Sequence, residues 1–335
     1  MYKIIKKLIN RTKKAIKKLL LACKHLSISY KVFTLVELIT KYMIERTRLH
    51  KKIGYYPDLK NPRSYNEKIL WKKIYDRNPL LPVVSDKYRV RYYVKEVLGE
   101  KEAEKILIPL FYVTDKPETI PFDFLTEEYV IKPNHASGKI IFAEKIKKQK
   151  RYTIVDSRYE SVFSDNNQTR SKIVDVCKSW LSLAYNFYKH EWAYQKIERK
   201  IVIEKLLRDN RGKFPVNYNF SVFDGKCHLI TICHSSFSDG RITRYTADWE
   251  YINVQGKNKQ AAYEKKPKNL ESMIYFAELL GKHFDFIRVD LYCIYDRIYF
   301  SELTNYPMSG AVQFNPVSFD FELGSKWTLS PKYWL

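Results

Sequence analysis

Cysteine is scarce in this chain: there are five, at positions 23, 177, 227, 233 and 293, and no two form a Cys-x-x-Cys pair. An odd, unspaced set argues against a zinc site and against the disulfide framework of a secreted domain, and points to a reducing, cytoplasmic compartment. Long apolar runs are missing too, so no segment reaches the length of a membrane span. The run "LLLAC" ends at Cys23 as a lipoprotein signal would, but Lys17 and Lys18 interrupt the apolar stretch before it, which argues against export. Internal repeats and low-complexity linkers are absent, and residues 1 to 31 contain no acid.

Those 31 residues carry ten of the Lys and Arg side chains. Removing them from the formal charge of +23 leaves +13 spread over the other 304 residues. In "MYKIIKKLINRTKKAIKKLL", Ile5, Leu8, Ile9, Thr12, Ile16, Leu19 and Leu20 fall at helical spacing with lysines opposite. The pattern predicts a basic amphipathic helix suited to an anionic membrane surface. The plain alternative is a solvated helix packed on its own domain. The chain as a whole, 335 residues with 15% aromatics, is long enough for one large domain or two or three lobes around a packed core.

Helical periodicity holds to about residue 50, and turn signals with one short helix follow through "GYYPDLKNPRSYNEKILWKKIYDRNPL". "PVVSDKYRVRYYVKEVLG" reads as a helix capped by Ser85 or Asp86 and stopped at Gly99. From "EEYVIKPNHASGKIIFA" onward, strands alternate with helices such as "SKIVDVCKSWLSLAYNFYKH" and "NLESMIYFAELLGKHF". This is an α+β or mixed α/β body with largely antiparallel pairing.

Three stretches could carry chemistry. "FIRVDLYCIYDRIYFSELTNYPMSG" reads as two strands about a turn at Tyr295, Asp296 and Arg297, which sets Asp290 opposite Glu302 and Arg288 opposite Thr304. Two acids facing each other repel unless a cation lies between them, and Mg²⁺ suits a few carboxylate oxygens with phosphates and water completing its shell. A register shifted by one residue would send the acids to opposite faces instead. In "YVIKPNHASGK", a strand delivers Lys132 and a loop of Ala136, Ser137 and Gly138 exposes backbone N–H groups suited to phosphate. It is not a Walker loop, because no GK[ST] precedes a helix, and His135 fits a structural role. In "RKIVIEKLL", Glu204 and Lys205 interrupt an apolar strand; the stretch suits a hinge beside an adenine edge or an ordinary edge strand.

Taken together and in this order, the segments resemble the ATP-grasp superfamily. "RVDLY…YFSELTNYPMSG" is similar to the metal hairpin of D-Ala-D-Ala ligases. The closer resemblance, from about residue 50 to about 328, is to the TupA-like ATP-grasp family, named for teichuronopeptide biosynthesis. It rests on "GYYPDLKNPRSYNEKILWKKIYDRNPL", "SDKYRVRYYV", "YVIKPNHASG", "HEWAYQKIERKIVIEKLL", "FSVFDGK", "KPKNLESMIYFAELL", "FIRVDLY" and "SELTNYPMSG". It implies two α+β lobes closing on ATP, and divides the chain into a basic helix (1–48), a helical substrate lobe (49–125), a small lobe (126–205) and a large lobe with the metal hairpin (206–335).

The resemblance also implies roles. Lys87 and Lys132 contact phosphates, with the loop of Ala136, Ser137 and Gly138 closing over them. Glu204, Lys205 and Leu206 hold the adenosine, Asp290 and Glu302 ligate Mg²⁺, and Arg288 with Lys132 stabilises transferring charge. Where the superfamily has a metal-binding Asn two residues after the Glu, this chain has Thr304, and Asn305 is expected to substitute. Where the family often shows Asp-Tyr-Lys-Phe, this chain has Asn217 and Asn219 in "NYNF", which removes an acid and a lysine near the site.

The implied reaction is ATP-dependent amide formation through an acyl phosphate. It joins an amine to a carboxylated sugar or lipid-linked saccharide in surface-polysaccharide (capsule or teichuronic-type) synthesis, on the inner face of a bacterial membrane. A sugar kinase, another polysaccharide-modifying transferase and an inactive ATP-grasp scaffold are the alternatives, though no Asp-x-Asp motif for a nucleotide sugar is present. Nucleic acid is not an expected partner, because the lysines segregate onto the N-terminal helix and the acids sit in a metal-like hairpin.

Overall fold

A computed structural model describes residues 34–146, 149–156, 159–233, 241–256 and 263–329. The basic segment 1–31 lies outside the described residues. Residues 34–39 are helical, and five helices follow: α1 (Met43–Ile53), α2 (Tyr65–Tyr75), α3 (Leu80–Ser85), α4 (Val90–Leu98) and α5 (Glu100–Ile106). A capping box starts α2, with Ser64 Oγ accepting from the Glu67 N–H and the Glu67 carboxylate accepting from the Ser64 N–H. The expected cap at Asp86 acts one turn early. Its carboxylate accepts from the Tyr88 and Arg89 N–H groups, α3 already occupies Ser85, and α4 begins only at Val90 before Gly99 ends it.

A six-stranded antiparallel sheet comes next in the chain, with order β1-β6-β2-β3-β4-β5. It is built from β1 (Leu110–Thr114), β2 (Tyr129–Pro133), β3 (Lys139–Ile146), β4 (Gln149–Asp156), β5 (Tyr159–Ser164) and β6 (Ile201–Lys205), with α6 (Asn167–Leu181) and the short α7 (Trp192–Gln195) between β5 and β6. Alternation decides its faces. Tyr129, Ile131, Ile201 and Ile203 pack with Ile173 and Trp180 of α6, while Lys132 and Glu204 point the other way. Because β6 lies between β1 and β2, it is a central strand and not an edge.

The second sheet is antiparallel with order β11-β10-β7-β8-β9. Its strands are β7 (Asn217–Phe223), β8 (Lys226–Cys233), β9 (Ile242–Tyr245), β10 (Phe286–Ile294) and β11 (Arg297–Thr304), with α8 (Leu270–Gly281) before β10 and α9 (Ser318–Ser325) after β11. Its apolar face, with Phe220, Val222, Ile287 and Val289, shares one core with α8 and with Tyr65, Tyr93 and Ile106 of the early helices.

Two boundaries differ from the sequence reading. Residues 49–125 do not form one unit: β1 pairs with β6, and Ile120, Phe122 and Leu125 join the core of the six-stranded sheet, while α2, α4 and α5 join the core of the other. The helix expected to run to residue 190 stops at Leu181, and beyond it Asn186 and His190 adopt left-handed backbone (φ of 50° and 61°) that no continuous helix would contain.

Candidate active site between the two sheets

The hairpin places its acids as their spacing suggested, by a different local route. Asp290 pairs with Glu302 and Arg288 with Thr304. The turn has two residues, not three: Tyr295 and Asp296 both take positive φ, and Ile294 pairs with Arg297. Unbroken pairing from that turn would set Ser301 opposite Asp290 and swing Glu302 into the core. A bulge at Ser301, between the Leu291–Phe300 and Asp290–Glu302 pairs, restores the register.

Arg288 lies between the acids. Its Nε and Nη2 donate to both oxygens of Asp290 at 2.7 and 2.6 Å, and Nη2 also reaches Thr304 Oγ1 at 3.0 Å and Glu302 Oε1 at 3.5 Å. Asp290 is buried, and burial, aided by the charge of Glu302, pushes its carboxyl up to about 7 against the pull of Arg288. Glu302, about a third exposed, moves the other way: burial is outweighed by Lys87, Arg288 and the Thr304 hydroxyl, and its carboxyl sits below the ordinary value. Among the described residues no cluster of three or more His, Cys, Asp and Glu is present to enclose an ion. Two facing carboxylates with a hydroxyl nonetheless fit Mg²⁺, which retains water and takes phosphate oxygens for the rest of its shell.

The opposite wall comes from the six-stranded sheet. Lys132 Nζ meets Glu204 Oε2 at 2.5 Å, and Arg91 approaches Glu204 Oε1 at 3.7 Å. Lys87 is half-buried, burial holds it below the ordinary lysine value, and its Nζ donates to the Ala136 carbonyl at 2.7 Å. The loop after β2 is fixed from beneath by Asn134, whose amide donates to Asp86 Oδ1 and the Glu198 carbonyl and accepts from the Lys200 N–H. Ser137 and Gly138 are left exposed at its tip, where Gly138 has a φ of 73° that a side chain would resist. His135 is buried against the Leu183 carbonyl and held down to about 4 by burial, so it stays neutral and structural.

Lys87, Ala136, Ser137, Arg288, Glu302 and Thr304 line one cavity of about 350 Å³. Residues that the sequence reading missed complete it: Tyr185, Asn186 and Lys189, from the stretch read as helix, and Met308 and Ser309 from the "YPMSG" turn. Met308 and Ser309 both hold positive φ. A buried network keeps that turn in place. Lys73 Nζ donates to the Ser309 carbonyl at 2.9 Å and meets Glu45 at 2.5 Å, and Arg48 Nη2 donates to the same carbonyl at 3.1 Å.

Three expected site residues stand elsewhere. Asn305, just past the end of β11, points away from the cavity, where its amide donates to the Leu81 carbonyl and Ser85 Oγ, so the position two residues after Glu302 on the cavity side belongs to Thr304. Lys205 pairs with Glu127 on the outer face of β6, and its N–H donates to the Pro109 carbonyl. Leu206 N–H donates to the Glu128 carbonyl and is not free for an adenine, although its side chain joins an apolar patch with Val130 and Phe142.

A family model for TupA-like ATP-grasp proteins matches residues 67–328. The chain belongs to that family. The match begins at residue 67 where the motif resemblance began at about 50, and it leaves residues 1–66 outside. ATP-grasp enzymes work with ATP and Mg²⁺, and their fold is the one seen here, two α+β bodies with a polar cleft between them.

Solved structures with similar stretches include D-alanine–D-alanine ligase from Bacillus anthracis complexed with ATP, at 16% identity and a TM-score of 0.37, covering 67% of this chain and 54% of that one. The Helicobacter pylori D-alanine–D-alanine ligase gives 16% identity and a TM-score of 0.39, covering 80% and 68%. An L-amino acid ligase from Bacillus licheniformis gives 13% and 0.37, covering 67% and 44%. The chain spans 54 to 57% of the length of the Bacillus anthracis ligases. Comparison with curated proteins found no match.

Proposed function

We propose that this ATP-grasp protein is an ATP-dependent carboxylate–amine ligase. The observation that supports the reading best is the convergence of Lys87, Arg288 and Glu302 on one cavity, with Asp290 directly opposite Glu302. A substrate carboxylate takes the γ-phosphoryl group of ATP, ADP leaves, and an amine then displaces phosphate from the acyl carbon with loss of one proton. Asp290 and Glu302 would hold Mg²⁺, which would supply neutralising charge to the phosphate oxygens.

The side chains position and neutralise. Lys87 and Lys132 bring positive charge to the phosphates from the six-stranded side, and the exposed loop tip at Ser137 and Gly138 closes over them. Arg288 faces the transferring group from the other side, held in place by its two bonds to Asp290. Glu204 holds Lys132 in position, and the apolar patch of Val130, Phe142 and Leu206 suits one face of a purine.

The finer reading places the reaction in surface-polysaccharide synthesis, with a carboxylated saccharide as acid substrate beside an anionic membrane. The ten cations and no acids of residues 1–31 support the membrane part. The test is calorimetric titration of ATP with and without Mg²⁺, on the wild type and on the Asp290→Asn, Glu302→Gln double variant, followed by ADP release with candidate acids. Mg²⁺-dependent binding that the double variant loses, and ADP release only when an acid is present, are expected. A folded wild type that binds no nucleotide would refute the ligase, and ADP release with a neutral sugar hydroxyl would replace it with a kinase.

A further inference from the structure

The row of side chains that starts at Glu302 and Asp290 continues across the whole sheet. Asp290 pairs with Asn219, Asn219 with Thr231, and Thr231 with Arg244, so all of them share one face. Three strand spacings of about 4.8 Å put Arg244 roughly 14 Å from Asp290. A second cavity of about 570 Å³ covers this stretch and shares Lys189, Arg288 and Met308 with the first. Among the described residues its lining includes five cations, Arg48, Lys52, Lys189, Arg244 and Arg288, and no Asp or Glu.

Two of those cations are already neutralised, Arg48 by Glu45 and Arg288 by Asp290. Arg244 is not. It is 5% exposed, its Nη1 donates to the Val254 carbonyl at 2.7 Å, and its guanidinium sits 5.5 Å from the centre of the Phe314 ring. Among the described residues no carboxylate pairs with it. Burial pulls it down to about 10, which leaves it charged at neutral pH. A buried charge without a counter-ion is strongly unfavourable unless an anion joins it. Between Arg244 and Asp290 stands Asn219, which lines the same cavity, is 6% exposed and has its Oδ1 buried with no hydrogen-bond partner among the described residues. That empty acceptor calls for a hydroxyl or N–H donor.

We propose that this second cavity binds the acid substrate and that Arg244 is its specificity-determining anchor, holding one carboxylate while the carboxylate to be activated lies at Arg288 and Asn219 accepts a hydrogen bond between them. The substrate class is a di- or polycarboxylate that spans two to three strand spacings, roughly 10 to 14 Å. An acidic saccharide and an acidic peptide both carry that chemistry. The inference rests on the ligase reading and adds to it the substrate's second charge and its length.

The experiment titrates trigalacturonate, triglutamate and their uncharged counterparts, galactotriose and triglutamine, into the full chain with Mg²⁺ and a non-hydrolysable ATP analogue, for the wild type, Arg244→Gln and Arg244→Lys. One acid should bind the wild type at least tenfold more tightly than its uncharged counterpart, and which one identifies the saccharide or peptide source. Arg244→Gln should lose that tenfold, Arg244→Lys should keep part of it, and the analogue should bind all three equally. If neither acid outbinds its counterpart, or Arg244→Gln binds as the wild type does, the anchor is overturned while intact nucleotide binding leaves the ligase standing. If the analogue itself does not bind the wild type, the ligase reading falls and the inference with it.

Discussion

At the scale of the residue, Asp290 and Glu302 look equivalent in the sequence and are not equivalent in the fold. Asp290 is buried under a bidentate Arg288, so Asp290→Asn removes that guanidinium's nearest carboxylate, leaves it only Glu302 at 3.5 Å, and should cost about 3 kcal/mol of stability in urea unfolding. Glu302 is partly exposed and reaches Arg288 only at 3.5 Å, so Glu302→Gln should abolish Mg²⁺-dependent ATP binding with less than about 1 kcal/mol of stability loss. Equal destabilisation by the two would refute this difference.

Glu45 supplies the pH dependence. Burial opposes its ionisation, but Lys73 and Arg48 more than compensate and hold it down to about 2 against an ordinary 4.5. A folded-state value below the unfolded one means stability present above about pH 4.5 and lost as pH falls toward 2. Lys73 is itself pushed down by burial, which offsets part of the gain, so the loss should be on the order of 2 kcal/mol and should vanish from the pH profile of Glu45→Gln. The spacing of Asp290, Glu302 and Arg288 was legible in the sequence because strand geometry has a period of two. Glu45, Lys73 and Arg244 were not, because each gains its role from neighbours that only the fold supplies, and Arg244 from having no carboxylate among them in the described residues.

Elements divide along the same line. The β10–β11 hairpin was visible as two strands, yet its register depends on a two-residue turn compensated by the Ser301 bulge, and neither has a strong local signature. Tyr295 and Asp296 both sit at positive φ, so replacing them with Asn-Gly should stabilise the fold by about 1 kcal/mol in thermal unfolding and leave nucleotide affinity unchanged. The capping box of α2 was written in "SYNE", but what leans on it was not. A Cβ on Gly324 of α9 would lie 2.0 Å from the Arg63 carbonyl oxygen, so Gly324→Ala should cost about 3 kcal/mol, read by the same melts. The stretch 182–190 looked helical because its apolar residues follow helical spacing; left-handed residues at Asn186 and His190 end that pattern and give the cleft Tyr185, Asn186 and Lys189.

At the scale of the molecule, two cores flank one charged cleft, so a ligand that bridges them should stabilise the whole. Mg²⁺ and ATP at a hundredfold excess over Kd should add about 2.7 kcal/mol and raise Tm by a few degrees, an increase that Glu302→Gln removes. Deleting residues 1–31 should abolish binding to vesicles containing anionic lipid while leaving nucleotide affinity intact, and retained vesicle binding would assign the membrane contact elsewhere. No helix among the described residues is long and apolar enough to cross a membrane.

The sequence by itself determined the family, the α+β class and the hairpin that sets Asp290 opposite Glu302, because motifs and alternation are local and survive without knowledge of what they pack against. Only the tertiary structure decided that β1 leaves the helical segment for the six-stranded sheet, that Asn305 faces α3 while Thr304 faces the cavity, and that Arg244 closes a row begun by Glu302. Those facts depend on which strands become neighbours, and neighbours are chosen by the burial of apolar faces over the whole chain.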